Sequence, residues 1–184
     1  MNELAKMGFI YDVEQIDPNG QVVGKQKVKN IITNEGIASL YKCVFSGSTL
    51  NSRSKPFNYF CLVFIESDQA PQKTDIFKNF YEKYKIDFQL WADYIGNKEH
   101  PLMLTFSKVS GSDELITGSK ITYTFSEYKV ITGCCILGAS QSYNASILAL
   151  KNYPCISAAL FYTPVQIVPK GSISITPSFT VIGG

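Results

Sequence analysis

The sequence has 184 residues, with 17 basic side chains, 15 acidic side chains and one histidine, and its formal net charge is +2. This length fits a single domain, residues 1–184, which buries roughly 70% of the surface that its unfolded chain would expose. A hydrophobic share of 45% excludes an intrinsically disordered chain, and the small net charge leaves no basic footprint for nucleic acid. No apolar run approaches the ~20 residues of a membrane span, and no leader pattern opens the chain, so neither a membrane partner nor a signal peptide is expected.

The first predicted element is a β-hairpin. Phe9, Tyr11 and Val13 alternate with other residues, which is typical of a strand with one buried face. Residues 17–20 read Asp-Pro-Asn-Gly, in which proline fixes φ and Asn-Gly tolerates positive φ. A return strand is predicted from Val22 through Ile31.

One short amphipathic helix is predicted near residues 35–46. Thr33-Asn34 supplies an N-cap, and Glu35 places negative charge in the first turn. Apolar residues at helical spacing follow, and Ser46-Gly47 ends the helix. The aromatic-rich segment after Thr74 allows a second short helix near residues 75–84, although its composition also permits a strand.

The other signals are strand-like. Tyr59–Ile65 is a nearly continuous apolar run, as expected of a central strand. Further alternating or apolar runs span residues 86–90, 102–106, 121–125, 130–137, 147–150, 158–162, 165–168 and 173–181. About ten short strands with frequent turn residues predict a mainly β protein, an antiparallel β-sandwich of jelly-roll or Ig-like type.

Charge is distributed unevenly along the chain. The first 120 residues hold 28 of the 32 charged side chains, and only Glu127, Lys129, Lys151 and Lys170 follow Ile121. This last third contains 14 Ser and Thr residues. Hydroxyl groups cost less to desolvate than charges, and charged residues are depleted at interface cores. We therefore expect the last third to form surface that another protein covers.

Residues for catalysis or metal binding are sparse. His100, the single histidine, lies in a polar turn, where a solvated side chain is the default. Cofactors, metal sites and enzyme activity are therefore not expected. Paired carboxylates of the kind that glycosidases use remain an alternative, with the candidates Asp12 with Glu14, Asp68, and Asp113 with Glu114.

The cysteines predict buried free thiols. Their number is odd and no pair has C-x-x-C spacing, which argues against a disulfide framework and favours assembly in a reducing cytoplasm. The adjacent pair Cys134-Cys135 should point to opposite faces of a strand, so at least one belongs to the core. The five cysteines are Cys43, Cys61, Cys134, Cys135 and Cys155.

Aromatic residues leave a sugar-binding alternative open. Trp91, Tyr94, Tyr143 and Tyr153 could form a platform for carbohydrate on a β-sandwich. Aromatic residues in a β-rich chain are nevertheless more often core or interface, because they bury the largest areas.

Several stretches in a fixed order carry a resemblance. Ile16–Val23 leads into Val28–Ile37, and a helix and the aromatic strand Tyr59–Phe64 follow. Later segments are Gln69-Ala70-Pro71, Thr74-Asp75, Ile131–Leu137 and Val168–Ile175. This order resembles small virion structural proteins of tailed bacteriophages, in which a hairpin, a K-N-x-I-T-x-x-G segment, a helix and a strand open the chain and an x-x-G-x-x-I-x-I/V strand closes it.

The resemblance implies a non-enzymatic virion subunit that is assembled in the host bacterial cytoplasm. We expect an auxiliary or decoration subunit of the head, with a head–tail or tail-associated subunit or a carbohydrate- or receptor-binding module as alternatives. Its partners would be capsid, portal or tail proteins and further copies of itself. The predicted contact residues in the charge-poor third are Phe161, Tyr162, Ile173, Ile175, Phe179 and Val181.

Overall fold

The computed structural model describes residues 6–38, 59–74, 103–104, 106–111, 115–139 and 155–182. These residues form strands in two antiparallel sheets and one short helical segment, so the protein is mainly β. The predicted second helix near residues 75–84, the remainder of the first beyond residue 38, and the predicted strands at 86–90 and 147–150 lie outside the described residues.

Sheet A contains six of the strands, with β1, β11 and β7 inside it. Its order is β2-β1-β11-β7-β6, and β8 pairs with β11 beside β7. The six strands are β1 (Lys6–Ile16), β2 (Val22–Lys29), β6 (Phe106–Lys108), β7 (Leu115–Gly118), β8 (Ile121–Thr124) and β11 (Ser172–Ile182).

Sheet B contains the other five described strands in the order β3-β10-β9-β4-β5. They are β3 (Ile31–Ile32), β4 (Tyr59–Ile65), β5 (Met103–Leu104), β9 (Lys129–Ala139) and β10 (Cys155–Ile167). The inner faces of the two sheets meet: the Phe64 ring of β4 lies 6.0 Å from the ring of Tyr123 on β8 and 5.8 Å from that of Phe125. Tyr59–Ile65 is flanked by β9 and β5, so its prediction as an inner strand is confirmed.

The predicted hairpin and its turn are confirmed. β1 pairs with β2 over residues 10–16, and Gly20 has a φ of 82°. The Asp17 carboxylate accepts the backbone N–H groups of Asn19 at 2.9 Å and Gln21 at 2.8 Å, so one side chain fixes the turn.

Two predicted strands are divided between the sheets. The return strand leaves sheet A after Lys29, and Ile31–Ile32 pairs with β10 in sheet B, so the prediction of one strand through Ile31 was wrong. The alternating run 102–106 is likewise divided, since Met103–Leu104 pairs with β4 and Phe106–Lys108 with β7. Alternation reports which residues are buried, not which sheet buries them.

Sheet B is buried on both faces along its central strands. Leu62, Phe64, Cys134, Ile136 and Ala159 face sheet A, as the register and the aromatic contacts of Phe64 show. The alternate residues are equally buried, although they point away from sheet A: Val63, Ile65, Cys135, Leu137, Ile156 and Ala158. Burial on both faces explains the continuous apolar runs of β4, β9 and β10.

β11 crosses the middle of sheet A and contains a proline. It pairs with β8 at residues 172–175 and with β7 at 178–180. Pro177 lies in the interval between these two partners, where the missing N–H interrupts neither ladder. A Cβ on Gly118 would lie 2.6 Å from the Pro177 ring, so glycine is required where β7 ends.

Candidate functional surfaces

The predicted contact residues divide into core and surface. Ile173, Ile175 and Phe161 are buried in the core of the chain itself, because they lie on the inner faces of central strands. Phe179 packs partly buried against the same core, with its ring 4.8 Å from that of Phe9. The prediction that Ile173, Ile175 and Phe161 are contact side chains is therefore corrected, and that for the partly buried Phe179 stays a prediction.

Only one of the six predicted contact side chains is described as exposed. Tyr162 is 73% exposed. It lies in the segment of β10 between Leu160 and Val165, where the pairing with β9 is interrupted. The side chain of Val181 lies outside the described side chains.

Asn30 forms hydrogen bonds to both sheets at the crossover, where the chain passes from sheet A to sheet B. Its side-chain oxygen accepts the Phe9 N–H at 2.9 Å, and its amide group donates to the Ser157 hydroxyl. The buried Tyr11 hydroxyl also bonds Ser157, which joins β1, the crossover and β10. The K-N segment of the sequence motif therefore has a structural role at this crossover.

The rest of the motif begins the helical segment at residues 34–38. Thr33 is its N-cap: the hydroxyl accepts the Gly36 N–H at 3.0 Å and donates to the Cys155 carbonyl. The Glu35 carboxylate accepts the Cys155 N–H at 3.2 Å. A Cβ on Gly36 would overlap the Ile156 carbonyl oxygen, so glycine allows the helix to lie against β10. The predicted cap is confirmed.

The described thiols are core residues. Cys134, Cys135 and Cys155 are free and fully buried, so the predictions of free buried thiols and of a core residue at 134 or 135 are confirmed for them. Burial raises the pKa of Cys134 well above its usual value, and the pKa of the buried Tyr11 hydroxyl is raised for the same reason. A protonated, inaccessible thiol is a poor nucleophile.

Hydroxyl side chains line the centre of the outer face of sheet A, meaning the face turned away from sheet B. On β11 they alternate with the core residues, and four of them bond across to the neighbouring strands. Ser172 lies 2.8 Å from Thr124, and Ser174 lies 3.0 Å from Thr122. The hydroxyls of this face on β7, β8 and β11 are Thr117, Thr122, Thr124, Ser172, Ser174, Thr176, Ser178 and Thr180.

Lysines flank these hydroxyls on the same face. Glu14 on β1 lies 2.8 Å from the Lys25 ammonium group and 2.6 Å from that of Lys120, and these contacts lower its pKa to about 2. Asp12 lies 3.4 Å from the ammonium group of Lys27. The Asp12–Glu14 pair considered for glycoside hydrolysis is thus held in ion pairs on an open sheet face, and an ionised Glu14 cannot serve as a general acid.

A small cleft of about 240 Å³ lies between β2 and the interrupted segment of β10. The Gln26 amide group donates to the Thr163 carbonyl at 2.8 Å and accepts the Thr163 N–H at 3.3 Å, as a neighbouring strand would. Gln15 donates to the Gln166 carbonyl at 2.5 Å. The glutamines therefore close this edge of the core, and their amides are occupied by β10.

Most of the other residues that the sequence singled out lie outside the described part of the chain. Asp68 lies in an exposed loop after β4. Nine others lie outside the described residues: Cys43, Trp91, Tyr94, His100, Asp113, Glu114, Tyr143, Lys151 and Tyr153. Within the described ranges, no three His, Cys, Asp or Glu side chains are grouped as metal ligands. No helix among these residues has the length and apolar character of a membrane span.

Comparison with known proteins adds no relative. The chain matches no protein-family model, no curated protein and no solved structure.

The lysines of β2 are a feature that the sequence pattern did not single out. Lys25, Lys27 and Lys29 recur at every second position, which places them on one face of a strand. That spacing is visible in the sequence, but its meaning depends on the register that sets Lys25 beside Glu14 and Lys27 beside Asp12.

Proposed function

We propose that this protein is a non-enzymatic structural subunit of a tailed-bacteriophage virion, an auxiliary or decoration subunit of the head. It assembles with other virion proteins and with further copies of itself, and its two sheets form a β-sandwich of jelly-roll or Ig-like type. A head–tail or tail-associated position is the nearest alternative within the particle.

The observation that carries this proposal is the hydroxyl-bearing outer face of sheet A. Burial within the chain accounts for the lack of charge on the inner face of β11 and along β9 and β10. The outer face of β11 has a different explanation, because Thr176, Ser178 and Thr180 are only partly buried by the described residues. Polar but uncharged groups suit a surface that is desolvated on assembly.

The motif order supports the same proposal. Its residues stabilise the crossover between the sheets. Asn30 accepts a hydrogen bond from β1, and Thr33 caps the helix. Gly36 allows that helix to approach β10. Residues with these roles determine the architecture and are not available for chemistry. They fit a scaffold whose function is to present surfaces.

A carbohydrate- or receptor-binding module is the second candidate. Tyr162 is exposed and is adjacent in sequence to Thr163, which lines the cleft beside β2. An exposed aromatic ring is a surface on which a sugar can stack. A glycan array with the wild-type protein and with Tyr162→Ala tests it, and the absence of any bound glycan removes this candidate.

The proposed function is tested on purified phage particles. Mass spectrometry should find the protein at a fixed copy number, and light scattering with size-exclusion chromatography should show the isolated protein as an oligomer. A protein that stays monomeric and is absent from particles would contradict the proposal.

A further inference from the structure

We propose that the outer face of sheet A docks on an acidic protein surface, one that presents Asp and Glu carboxylates to the lysines of β2. This inference rests on the proposed function and specifies the contact surface and the chemistry of the partner.

The described side chains of this face carry a surplus of positive charge. The face carries four lysines and only two carboxylates among its described side chains; the lysines are Lys25, Lys27, Lys29 and Lys120. Both carboxylates are occupied, since Glu14 binds Lys25 and Lys120 and Asp12 binds Lys27. Lys29 is exposed and has no ion-pair partner among the described residues. An acidic protein surface would be complementary to this surplus charge.

The lysines and hydroxyls are arranged as the rim and centre of an interface. The lysines of β2 follow one edge of sheet A, and the hydroxyls of β11 and β8 occupy the middle. Thr122 and Thr124 bond to the serines of β11 and are themselves exposed. A hydroxyl that makes one hydrogen bond can still make others, so the centre can exchange water for polar groups of a partner. A lysine rim steers an acidic partner and sets its orientation.

Other occupants fit this face less well. A second copy would bring further lysines whose compensating carboxylates are already bound, so self-association through this face lacks charge complementarity. None of the described positions on the face carries an aromatic ring for a sugar to stack on. Val22, which pairs with Ile16 at one end of the face, is exposed, whereas Ile10, Ile16 and Leu115 are half-buried. One exposed valine at the end of a strand does not form the apolar surface that inserts into a lipid layer.

Binding to poly-L-glutamate, measured by fluorescence anisotropy at low and at physiological salt, tests the proposal. The test variant is Lys27→Gln with Lys29→Gln. The matched control is Lys73→Gln with Lys170→Gln, which removes the same charge from exposed positions outside the face. We expect the test variant to weaken binding about fivefold to tenfold and the control less than about twofold. Equal losses in the two variants would show attraction by net charge alone and would overturn the proposal.

Two further measurements separate the alternatives. Polygalacturonate offers the same carboxylate group on a sugar backbone, and anionic vesicles offer phosphate on a lipid surface. We expect poly-L-glutamate to bind more tightly than either, and a preference for the polysaccharide or the vesicle would overturn the assignment to a protein partner. If the test variant copurifies with particles as fully as the wild type, the proposed function stands and this docking face is wrong.

Discussion

Two physical arguments predict opposite effects on stability when Gly36 is replaced with alanine. Helix propensity favours alanine over glycine by about 1 kcal/mol, so a helix at a distance from neighbouring strands would become more stable. Here the added Cβ would overlap the Ile156 carbonyl oxygen and lie 2.9 Å from the Ile156 Cα. These are main-chain atoms of β10, an inner strand of sheet B, and they cannot rotate away as the end of a side chain can.

We therefore expect Gly36→Ala to lower the free energy of unfolding by about 2–3 kcal/mol, as overpacking in a rigid core does. In a chain of this size the melting temperature should fall by roughly 4–12 °C. Thermal and urea denaturation followed by circular dichroism measure both quantities. Gly8→Ala is the matched control, because nothing lies within 4 Å of its added Cβ. A Gly36→Ala protein as stable as the wild type would refute the close approach of helix and strand.

Two further substitutions test the crossover and the ion pairs. Tyr11→Phe removes the hydroxyl that bonds Ser157, so we expect the free energy of unfolding in urea to fall by about 1–2 kcal/mol. The exposed control Tyr162→Phe should cause no such loss. Equal effects of the two substitutions would contradict the buried hydrogen-bond network. The pKa of Glu14 is about 2 in the folded protein, against an ordinary value of 4.5. The ionised carboxylate therefore stabilises the fold above pH 4.5, and this contribution to the free energy of unfolding is lost as the pH falls from 4.5 to about 2. Glu14→Gln should therefore lose less stability than the wild type between about pH 5 and about pH 2.5, and identical acid profiles would refute the ion pairs.

Elements that depend on neighbouring residues could be predicted from the sequence. The turn at residues 17–20 needs a proline, an Asx side chain and a glycine in consecutive positions, and all its bonds lie within five residues. The cap at Thr33 is equally local, since it acts on Gly36 three residues later. Such features can be predicted because all the residues that form them are close together in the sequence.

The crossover at Asn30 could not be predicted, because its partners are distant in sequence. Asn30 bonds Phe9, 21 residues earlier, and Ser157, 127 residues later. Nothing in the local pattern distinguishes a polar residue that ends a strand from one that lies within it. The sequence therefore predicted one continuous return strand, whereas the chain moves to the other sheet.

The charge-poor last third shows a similar limit. Its position was visible in the sequence, but two causes contribute to it. β9 after Lys129 and the inner part of β10 lack charge because both their faces are buried in the chain, and Ile173 and Ile175 are buried in the same core. The sequence could not distinguish burial by the chain from burial by a partner. Within the described residues, the structure removes Phe161, Ile173 and Ile175 from the surface that is open to a partner and leaves the outer face of β11 and the exposed Tyr162 on it.

Cross-linking mass spectrometry on intact, purified phage particles tests the central claim, assembly into a virion through the outer face of sheet A, most directly. A carboxyl-to-amine cross-linker should join Lys25, Lys27 or Lys29 to acidic residues of another virion protein, with the chain present at a fixed copy number. Absence of the chain from particles would contradict the proposed function. Presence of the chain with cross-links from Lys73 and Lys170 and none from β2 would contradict the docking face.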